Sequence, residues 1–335
     1  MTLEGVLGPN NRLEQAEGIR VDAPETLCIG ADGRLFYSAG RTVLFLEKWG
    51  EKPQCYAEFE QPVTALCSSR SGLVAVGTLG GGLQVCDGSG RAEGNWKRPA
   101  GLTAAADALF LTDDELAVVD HGYRAEEPLL SVAPWDEVAR GRVVLAPRNG
   151  EPRVLATGLR CPLGLARDTR GELIATEFES ARIVDLSGRV RQAGYPGYLG
   201  RLRRSGTGYV MTCLSRRDPL IEFLKSERKF VGAMKATIAP QHWIAPRVNP
   251  EFSHDFPIEL GATRLFGEIK PWAPSFSYGL VIELNDALMP VGAAHSRADG
   301  RRHGISDALV WNGDLVAVSK ASGELLNLGC ARGSA

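Results

Sequence analysis

A short apolar run, a tight polar turn and a second apolar run recur along the chain, and this repeat constrains the fold more than any other feature. Six units carry it: PETLCIGADGRLFYSA (24–39), VTALCSSRSGLVAVGT (63–78), ADALFLTDDELAVVD (106–120), CPLGLARDTRGELIATE (161–177), GYLGRLRRSGTGYVMTCL (197–214) and ISDALVWNGDLVAVSK (305–320). Each unit predicts a β-hairpin, because Gly, Asp or Asn stands at the turn and Val, Ile, Leu or Ala on either side. Six hairpins at a spacing of roughly forty residues are typical of an all-β, six-bladed β-propeller.

The spacing of the units predicts where the blades begin and end. We expect blades at about 15–55, 56–98, 99–148, 149–191, 192–217 and 265–330, the fifth being interrupted and completed by strands from beyond residue 217. A propeller is the usual way to build one all-β domain of this length, so residues 1–335 are expected to form a single domain.

Composition argues against several classes of protein. The formal net charge is -2, with 38 basic and 40 acidic residues, which gives no electrostatic signature for nucleic acid or an anionic membrane. The N-terminal sequence lacks the pattern of a signal peptide, and no apolar run approaches membrane-spanning length. Seven cysteines without a CxxC pair favour reduced core thiols over a disulfide framework, and therefore a cytoplasmic protein. Oligomeric state is not predicted.

Residues 217–272 interrupt the hairpin rhythm. The apolar positions of RDPLIEFLKSERKFVGAMKATIAP have helical spacing, with Asp218 and Pro219 at the start and Pro240 at the end. A stretch rich in proline and aromatic residues follows. We therefore expect a partly helical insertion between blades five and six, either a lid over the propeller or a peripheral ornament on a blade edge. Trp272 would belong to the aromatic wall of such a lid.

The first strand of each blade runs beside the central channel, so the residues that start these strands should converge at one mouth. Counting back from each turn predicts a ring of residues: Glu25, Thr64, Ala106, Leu163, Tyr198 and the segment Gly304–Ser306. This ring is mostly apolar with few polar groups, which is typical of a small-molecule site. Asp107 adjoins the ring and is kept as a ligand contact, although strand alternation turns it away if Ala106 faces inwards. The basic runs RLRR (201–204) and GRRHG (300–304) are interpreted as solvated turns that could attract an anionic substrate.

Four segments carry a resemblance to a known family: APETLCIGADGRLFYSAG, CPLGLARDTRGELIATEFESARIV, GYPGYLGRLRRSGTGYVM and SYGLVIELNDALMPVGAAHSRADGRRHGISDALVWNGDLVAVS. They resemble strictosidine-synthase-like proteins, which belong with the gluconolactonase, regucalcin and paraoxonase group of six-bladed propellers. The resemblance covers most of residues 15–330 and is diffuse, so it is more specific for the fold than for the reaction.

The resemblance implies two mechanisms, and this chain departs from both. The metal-dependent relatives hold Ca²⁺ or Zn²⁺ through a Glu, which matches Glu25, and through Asn and Asp residues. Those positions fall here on Ala106, Leu163, Gly197 and Tyr198, so we expect no metal and no other cofactor. The catalytic Glu of strictosidine synthase corresponds to Ser306, which cannot serve as an acid or base at neutral pH.

Acid and base candidates must therefore come from other residues. Glu25 would act as a general base whose pKa is raised by apolar neighbours with no cation nearby, or else accept hydrogen bonds from channel amides. His303 would act as an acid or base near the mouth, or be a surface histidine. His121, Tyr198 and Tyr278 are further candidates for ligand contacts, and each has an alternative structural interpretation.

Three functional hypotheses follow. The first is a metal-independent enzyme of the strictosidine-synthase-like type, which carries out a lyase, isomerase or condensing reaction on a largely apolar organic molecule. Its catalytic residues would be Glu25 and His303, with Thr64, Leu163, Tyr198 and Ser306 among the substrate contacts. The second is a lactone or ester hydrolase of the gluconolactonase type. The third is a ligand-binding propeller without catalytic activity.

Overall fold

Six antiparallel sheets form the six blades of a β-propeller in the computed structural model. The structure describes residues 2–206, 208–217, 219–250, 264–265, 268–269 and 277–331. Trp272 and Asp218, both named in the sequence-based predictions, lie outside these ranges. Among the described residues, no helix is long and apolar enough to cross a membrane.

The strand β1 (Glu17–Arg20) precedes the first blade in the chain, and the next three blades follow in order. Blade one contains β2 (Leu27–Ile29), β3 (Leu35–Ala39), β4 (Thr42–Leu46) and β5 (Gln54–Glu58). Blade two contains β6 (Val63–Ser68), β7 (Val74–Thr78) and β8 (Gly82–Cys86). Blade three contains β9 (Asp107–Thr112), β10 (Glu115–Asp120), β11 (Gly141–Pro147) and β12 (Arg153–Leu159).

The second half of the chain supplies the remaining blades. Blade four contains β13 (Pro162–Arg167), β14 (Leu173–Glu177), β15 (Arg182–Asp185) and β16 (Val190–Ala193). Blade five contains β17 (Gly197–Ser205), β18 (Gly208–Arg216), β21 (Leu280–Asn285) and β22 (Pro290–His295); a short pair, β19 (Arg264–Leu265) and β20 (Glu268–Ile269), lies between its halves in the chain. Blade six contains β23 (Ile305–Trp311), β24 (Asp314–Ser319) and β25 (Glu324–Cys330), with β1 as its outer strand.

The ring is closed by the two ends of the chain. Glu17 pairs with Asn327 and Arg20 with Glu324, so that β1 completes the sheet that β25 would otherwise end. The predicted boundaries of the first and last blades therefore differ from the observed ones: β1 belongs to blade six, and β21 and β22 belong to blade five. This closure joins segments some three hundred residues apart, and no local pattern indicates it.

Local sequence explains the hairpins. Asn312 and Gly313 both have positive φ angles, 52° and 88°, as a two-residue type I′ turn between β23 and β24 requires. The second strands are buried on both faces because each blade packs between two neighbours; in β10, for example, Leu116–Val119 are all buried. All seven cysteines lie within the described residues; none forms a disulfide bond, and five are buried.

The predicted helical insertion is present. It contains α3 (Pro219–Ser226) and α4 (Arg228–Thr237), followed by a 3₁₀ turn at Pro240–His242. It leaves blade five after β18, and the blade resumes at β21, as expected of an interrupted fifth blade. Three other helical segments are short: a 3₁₀ turn at Gly5–Leu7, α1 (Arg12–Gln15), and α2 (Leu129–Val132) with the 3₁₀ turn Ala133–Trp135.

Candidate active site at the mouth of the central channel

A cavity of about 410 Å³ opens where the first strands of the blades begin, and we call it the first mouth. All six blades contribute to it. The predicted ring residues that line it are Glu25, Thr64, Ala106, Leu163 and Ser306. Converging strand starts were the basis of the prediction, and the structure brings these five residues together as that geometry requires.

Tyr198 does not line this cavity. The register between β17 and β18 shifts twice, between Tyr198 and Leu199 and again between Leu199 and Leu202, so the inward position moves along the strand. Tyr198 is fully buried and stacks on Phe178, with ring centroids 5.2 Å apart. Gly200 and Arg201 face the cavity instead. Counting back from the turn fails here because the hairpin is longer and irregular.

Arg201 forms the floor of the first mouth. Its Nη1 donates to the backbone carbonyl oxygens of Glu25 at 3.1 Å and Ser306 at 2.9 Å. Its Nη2 donates to the carbonyl oxygens of Thr64 and, at 2.9 Å, Ala106. One guanidinium therefore joins blade five to blades one, two, three and six, and its planar array of donors suits this role.

Arg203 lies one step deeper in the channel and bridges two carboxylates from opposite blades. Its Nη1 is 2.8 Å from Asp107 Oδ1, and its Nη2 is 2.8 Å from Asp307 Oδ2. Asp107 also accepts the amide of Leu165, and Asp307 accepts the amide of Leu27, each at 2.9 Å. Burial alone would lower the pKa of Arg203, but the two carboxylates outweigh burial and raise it, so this guanidinium stays charged.

The basic run RLRR was expected to be a solvated turn, and that expectation is wrong. Arg201 is only 5% exposed, and Arg203 is enclosed by Asp107 and Asp307. The other basic run is also partly buried: Arg302 is 5% exposed and donates to the carboxylate of Glu324 at 3.1 Å. Asp107 faces the buried network rather than the cavity, which follows from strand alternation with Ala106 facing in.

The residues at the floor of the first mouth do not fit a divalent metal ion. The carbonyl oxygens that could serve as ligands already accept hydrogen bonds from Arg201, and a guanidinium cannot share that position with a second cation. Glu25 is the one acidic residue that lines the cavity in the described part of the chain. Across the described residues, no group of three or more His, Cys, Asp or Glu side chains is placed to hold a metal ion.

Glu25 lies between two cations. One carboxylate oxygen is 3.4 Å from Nη1 of Arg201, and the other pairs with Nζ of Lys320. The expectation that no cation lies near Glu25 is therefore wrong. The Glu25 side chain keeps 23% of its surface exposed and lines the cavity. Lys320 directly follows β24, and the hairpin pattern gave no signal for it beyond its position as the last residue of the repeat.

His121 lines the same cavity and is a hydrogen-bond donor towards it. Its Nδ1 accepts the amide of Tyr123 at 3.1 Å, which places the proton of the neutral ring on Nε2. Burial lowers the pKa of His121 to about 4, although Asp120 and Glu127 act in the opposite direction. The ring is therefore neutral at pH 7, and its Nε2–H is suited to polarise an oxygen atom of a ligand.

Two insertions cover the first mouth, and together we call them the cap (residues 121–140 of blade three and 219–250 of blade five). Pro128–Ser131 and Val248 line the cavity from above. Trp135 joins the two halves: it packs against Ile221 and Met234 in a small apolar cluster, and its Nε1 donates to the Ile244 carbonyl oxygen at 2.7 Å. The blade-three half was not predicted, because its short helix and turn resemble an ordinary surface loop.

His303 and Tyr278 lie together but do not line the cavity. His303 is fully buried; its Nδ1 is 2.9 Å from the Ser277 hydroxyl and its Nε2 is 2.6 Å from the carbonyl oxygen of Arg297. Burial lowers the pKa of His303. The Tyr278 hydroxyl contacts His295 Nδ1 at 3.2 Å. With both ring nitrogens of His303 engaged and no exposed surface, the structure gives it no route to a bound ligand.

The walls of the first mouth are largely apolar. Its apolar lining residues are Ala106, Pro128, Leu129, Leu130, Leu163, Leu214 and Val248. The polar groups are few: the Glu25–Lys320 pair, Arg201 and the hydroxyls of Thr64 and Ser306 lie near the floor, and His121 and Ser131 belong to the cap. Thr64 and Ser306 donate to the carbonyl oxygens of Ala105 and Glu25, at 2.8 and 2.7 Å. A ligand would therefore meet a charged floor and an apolar upper wall.

Comparison with solved structures shows the fold. One similar structure is of a protein to which gluconolactonase activity has been provisionally attributed, with a TM-score of 0.54, 13% identity, and coverage of 93% of this chain and 91% of that chain. Another is a gluconolactonase of Xanthomonas campestris, with a TM-score of 0.55, 13% identity, and coverage of 96% and 91%. No family model matches the chain, and no curated protein matches its sequence.

Proposed function

We propose that this chain is a hydrolase of small lactones or esters that works without a metal ion at the first mouth. The observation that carries the proposal is the grouping of the Glu25–Lys320 pair and the Nε2–H of His121 in one capped cavity. A carboxylate base and a neutral donor are the two groups that hydrolysis of an activated carbonyl requires. The structural likeness to gluconolactonases supports a lactone as the substrate class.

The proposed reaction uses residues that line the cavity. Glu25 accepts a proton from water as the water oxygen bonds to the carbonyl carbon. His121 and Lys320 donate hydrogen bonds to the oxyanion that forms. When the ring C–O bond breaks, the alkoxide takes the proton back from Glu25, and the product is a hydroxy acid. The positive charges of Arg201 and Lys320 favour both the oxyanion and the product carboxylate.

The apolar wall favours a substrate with an aliphatic or aromatic body over a polyhydroxylated sugar lactone. A sugar lactone carries several hydroxyl groups, each of which costs free energy if it is buried without a partner. The upper wall supplied by Leu129, Leu130 and Leu214 offers side chains without polar atoms. We therefore expect alkyl-substituted γ- or δ-lactones, or esters of similar size, to be the better substrates.

The test is hydrolysis of a panel of alkyl lactones, gluconolactone and aryl esters by the wild type and by matched variants. Glu25→Gln is expected to lower kcat by about 10²–10⁴-fold, the usual contribution of a general base. His121→Phe is expected to lower kcat by about 10²–10³-fold through loss of an oxyanion donor. Glu60→Gln, at an exposed position, is the control and should be unchanged.

Three outcomes would contradict the proposal. Hydrolysis that persists in Glu25→Gln at the wild-type rate would remove Glu25 from the mechanism. Binding of lactones without turnover, measured by calorimetry, would favour a ligand-binding propeller. Conversion of a substrate without uptake of water, detected by mass spectrometry, would instead favour a lyase or isomerase that uses the same two residues for proton transfer.

A further inference from the structure

A second cavity of about 750 Å³ opens at the opposite end of the channel, and we call it the second mouth. It lies where the first strands of blades two to five end: Ser68, Leu111, Arg167 and Arg203 all line it. The ion-pair network of Arg201, Arg203, Asp107 and Asp307 lies between the two mouths, with Arg201 lining the first and Arg203 the second.

Four arginines and one acidic residue line the second mouth among the described residues. Two of the arginines are neutralised by the protein: Arg203 by its buried carboxylates, and Arg204 by Asp286 at 2.6 Å. The other two, Arg70 and Arg167, form no ion pair with the residues that the structure describes. Asp113 is the acidic lining residue, and it accepts the amide of Ser71 at 3.1 Å. Two cations facing one carboxylate leave a net positive charge at this mouth.

Hydrogen bonds to the backbone fix the position of Arg167, as expected of a side chain that binds a ligand. Its Nη2 donates to the carbonyl oxygen of Leu111 at 2.6 Å, and its Nη1 is 3.4 Å from that of Gly171. These bonds hold the guanidinium without neutralising its charge. Arg70 is exposed on the rim of the second mouth, whereas Arg203 forms its floor. A guanidinium array of this kind binds carboxylate and phosphate groups through paired hydrogen bonds.

The second mouth also has an apolar side. Leu109, Phe110, Leu165 and Leu202 line it, and Phe110 contacts Trp96 edge to face at 5.8 Å. An anion with an apolar or aromatic body would therefore pair its charge with the arginines and pack its body against the apolar side of the mouth. We propose that the second mouth is a binding site for a small organic anion, a carboxylate or phosphate monoester held by Arg167 and Arg70, and separate from the proposed active site.

The experiment is calorimetric titration of the full chain with phenyl phosphate, benzoate and inorganic phosphate. Phenyl phosphate is expected to bind, more tightly than inorganic phosphate and more weakly as the salt concentration rises. Arg70→Gln should weaken binding about tenfold, since a hydrogen bond to a charged group is lost. Arg41→Gln, on the exposed edge of blade one, is the control. Lactone hydrolysis should be unchanged in Arg70→Gln.

Three results would overturn the proposal: no heat of binding at millimolar phenyl phosphate, equal binding by Arg70→Gln and wild type, or equal affinity for phenyl and inorganic phosphate. Glu25→Gln separates this proposal from the proposed function. It should lower kcat for hydrolysis by about 10²–10⁴-fold and leave phenyl phosphate binding intact. If the Glu25 substitution changes anion binding and the Arg70 substitution does not, the anion occupies the first mouth and the second site is wrong.

Discussion

Arg201 and Glu25 contact each other twice, through the backbone and through the side chain. Nη1 of Arg201 donates to the Glu25 carbonyl oxygen at 3.1 Å and lies 3.4 Å from its carboxylate. The first contact ties the start of blade one to the floor of the channel, and the second fixes the direction of the carboxylate. The same guanidinium therefore supports the propeller and orients the proposed base.

Removal of divalent cations is expected to leave the protein unchanged. Arg201 already supplies a positive charge to the carbonyl oxygens of the floor, so added Ca²⁺ or Zn²⁺ has no vacant ligands there. The measurement is the thermal unfolding midpoint with EDTA, Ca²⁺ or Zn²⁺, together with elemental analysis of the purified protein. One tightly bound divalent ion per chain, or a lower midpoint in EDTA, would contradict this account of the floor.

Replacement of Arg201 by methionine is expected to lower the free energy of unfolding by about 3–5 kcal/mol, as happens when one partner of a buried ionic network is removed. Four carbonyl oxygens would lose their donor, and the buried carboxylates would keep only Arg203. Urea unfolding measures the loss. Arg204→Gln is the matched control on the same strand: its pair with Asp286 is exposed and should contribute less than about 1 kcal/mol. Equal losses in the two variants would contradict the prediction.

The sequence predicts the blades because each hairpin forms between residues that are close together in the chain. Turns such as Asn312–Gly313 lie between apolar runs, and six such units leave few architectures to choose from. The local pattern does not indicate which strand the four-residue β1 pairs with. The segment Glu17–Arg20 pairs across the whole length of the chain with Glu324–Asn327, and only closure of the ring decides that pairing.

Part of the candidate active site could also be predicted from the repeated hairpins. Equivalent positions of the repeats converge, so Glu25, Thr64 and Ser306 meet at one mouth. Arg201 was missed because a register shift in β17 moves it into the place that counting assigns to Tyr198. One signal did exist: Asp107 and Asp307 occupy the same position in two repeats, each followed by Ala-Leu, and a pair of buried carboxylates requires cations such as Arg201 and Arg203.

Stability is expected to fall as the pH drops from 6.5 to 4. Burial lowers the pKa of His121 and of His295 to about 4, and it also lowers the pKa of His303. In the unfolded chain these groups titrate near 6.5, so in this window the unfolded state binds more protons than the folded state. Above about pH 7.5 all three are almost entirely neutral in both states, and they add little slope.

The check is urea unfolding between pH 4.5 and 8. Each of these histidines contributes a slope of up to about 1.4 kcal/mol per pH unit inside the window. His295→Asn should reduce the slope below pH 6.5 by up to one proton and leave it almost unchanged above about pH 7.5, which provides the internal control. A slope below pH 6.5 that is identical in wild type and variant would show that His295 does not titrate with a lowered pKa.

Trp135 is expected to hold the two halves of the cap together, and Trp135→Ala should release them. Its side chain is 4% exposed, packs on Ile221 and Met234 and donates to the Ile244 carbonyl oxygen. A loss of about 3–5 kcal/mol is usual for such a substitution. Amide hydrogens of α3 and α4 should then exchange at least about a hundredfold faster, since each 1.4 kcal/mol is worth tenfold.

The amides of the blades should keep their protection in this variant, because the described part of the cap lies over the mouth of the propeller. KM for apolar lactones should rise as Pro128–Ser131 and Val248 lose their fixed positions over the cavity. Phe223→Ala is the control in α3, since Phe223 is 60% exposed and its removal should leave exchange unchanged. Faster exchange throughout the blades would mean that Trp135 supports the whole propeller, whereas unchanged exchange in α3 and α4 would mean that the two halves hold their positions without it.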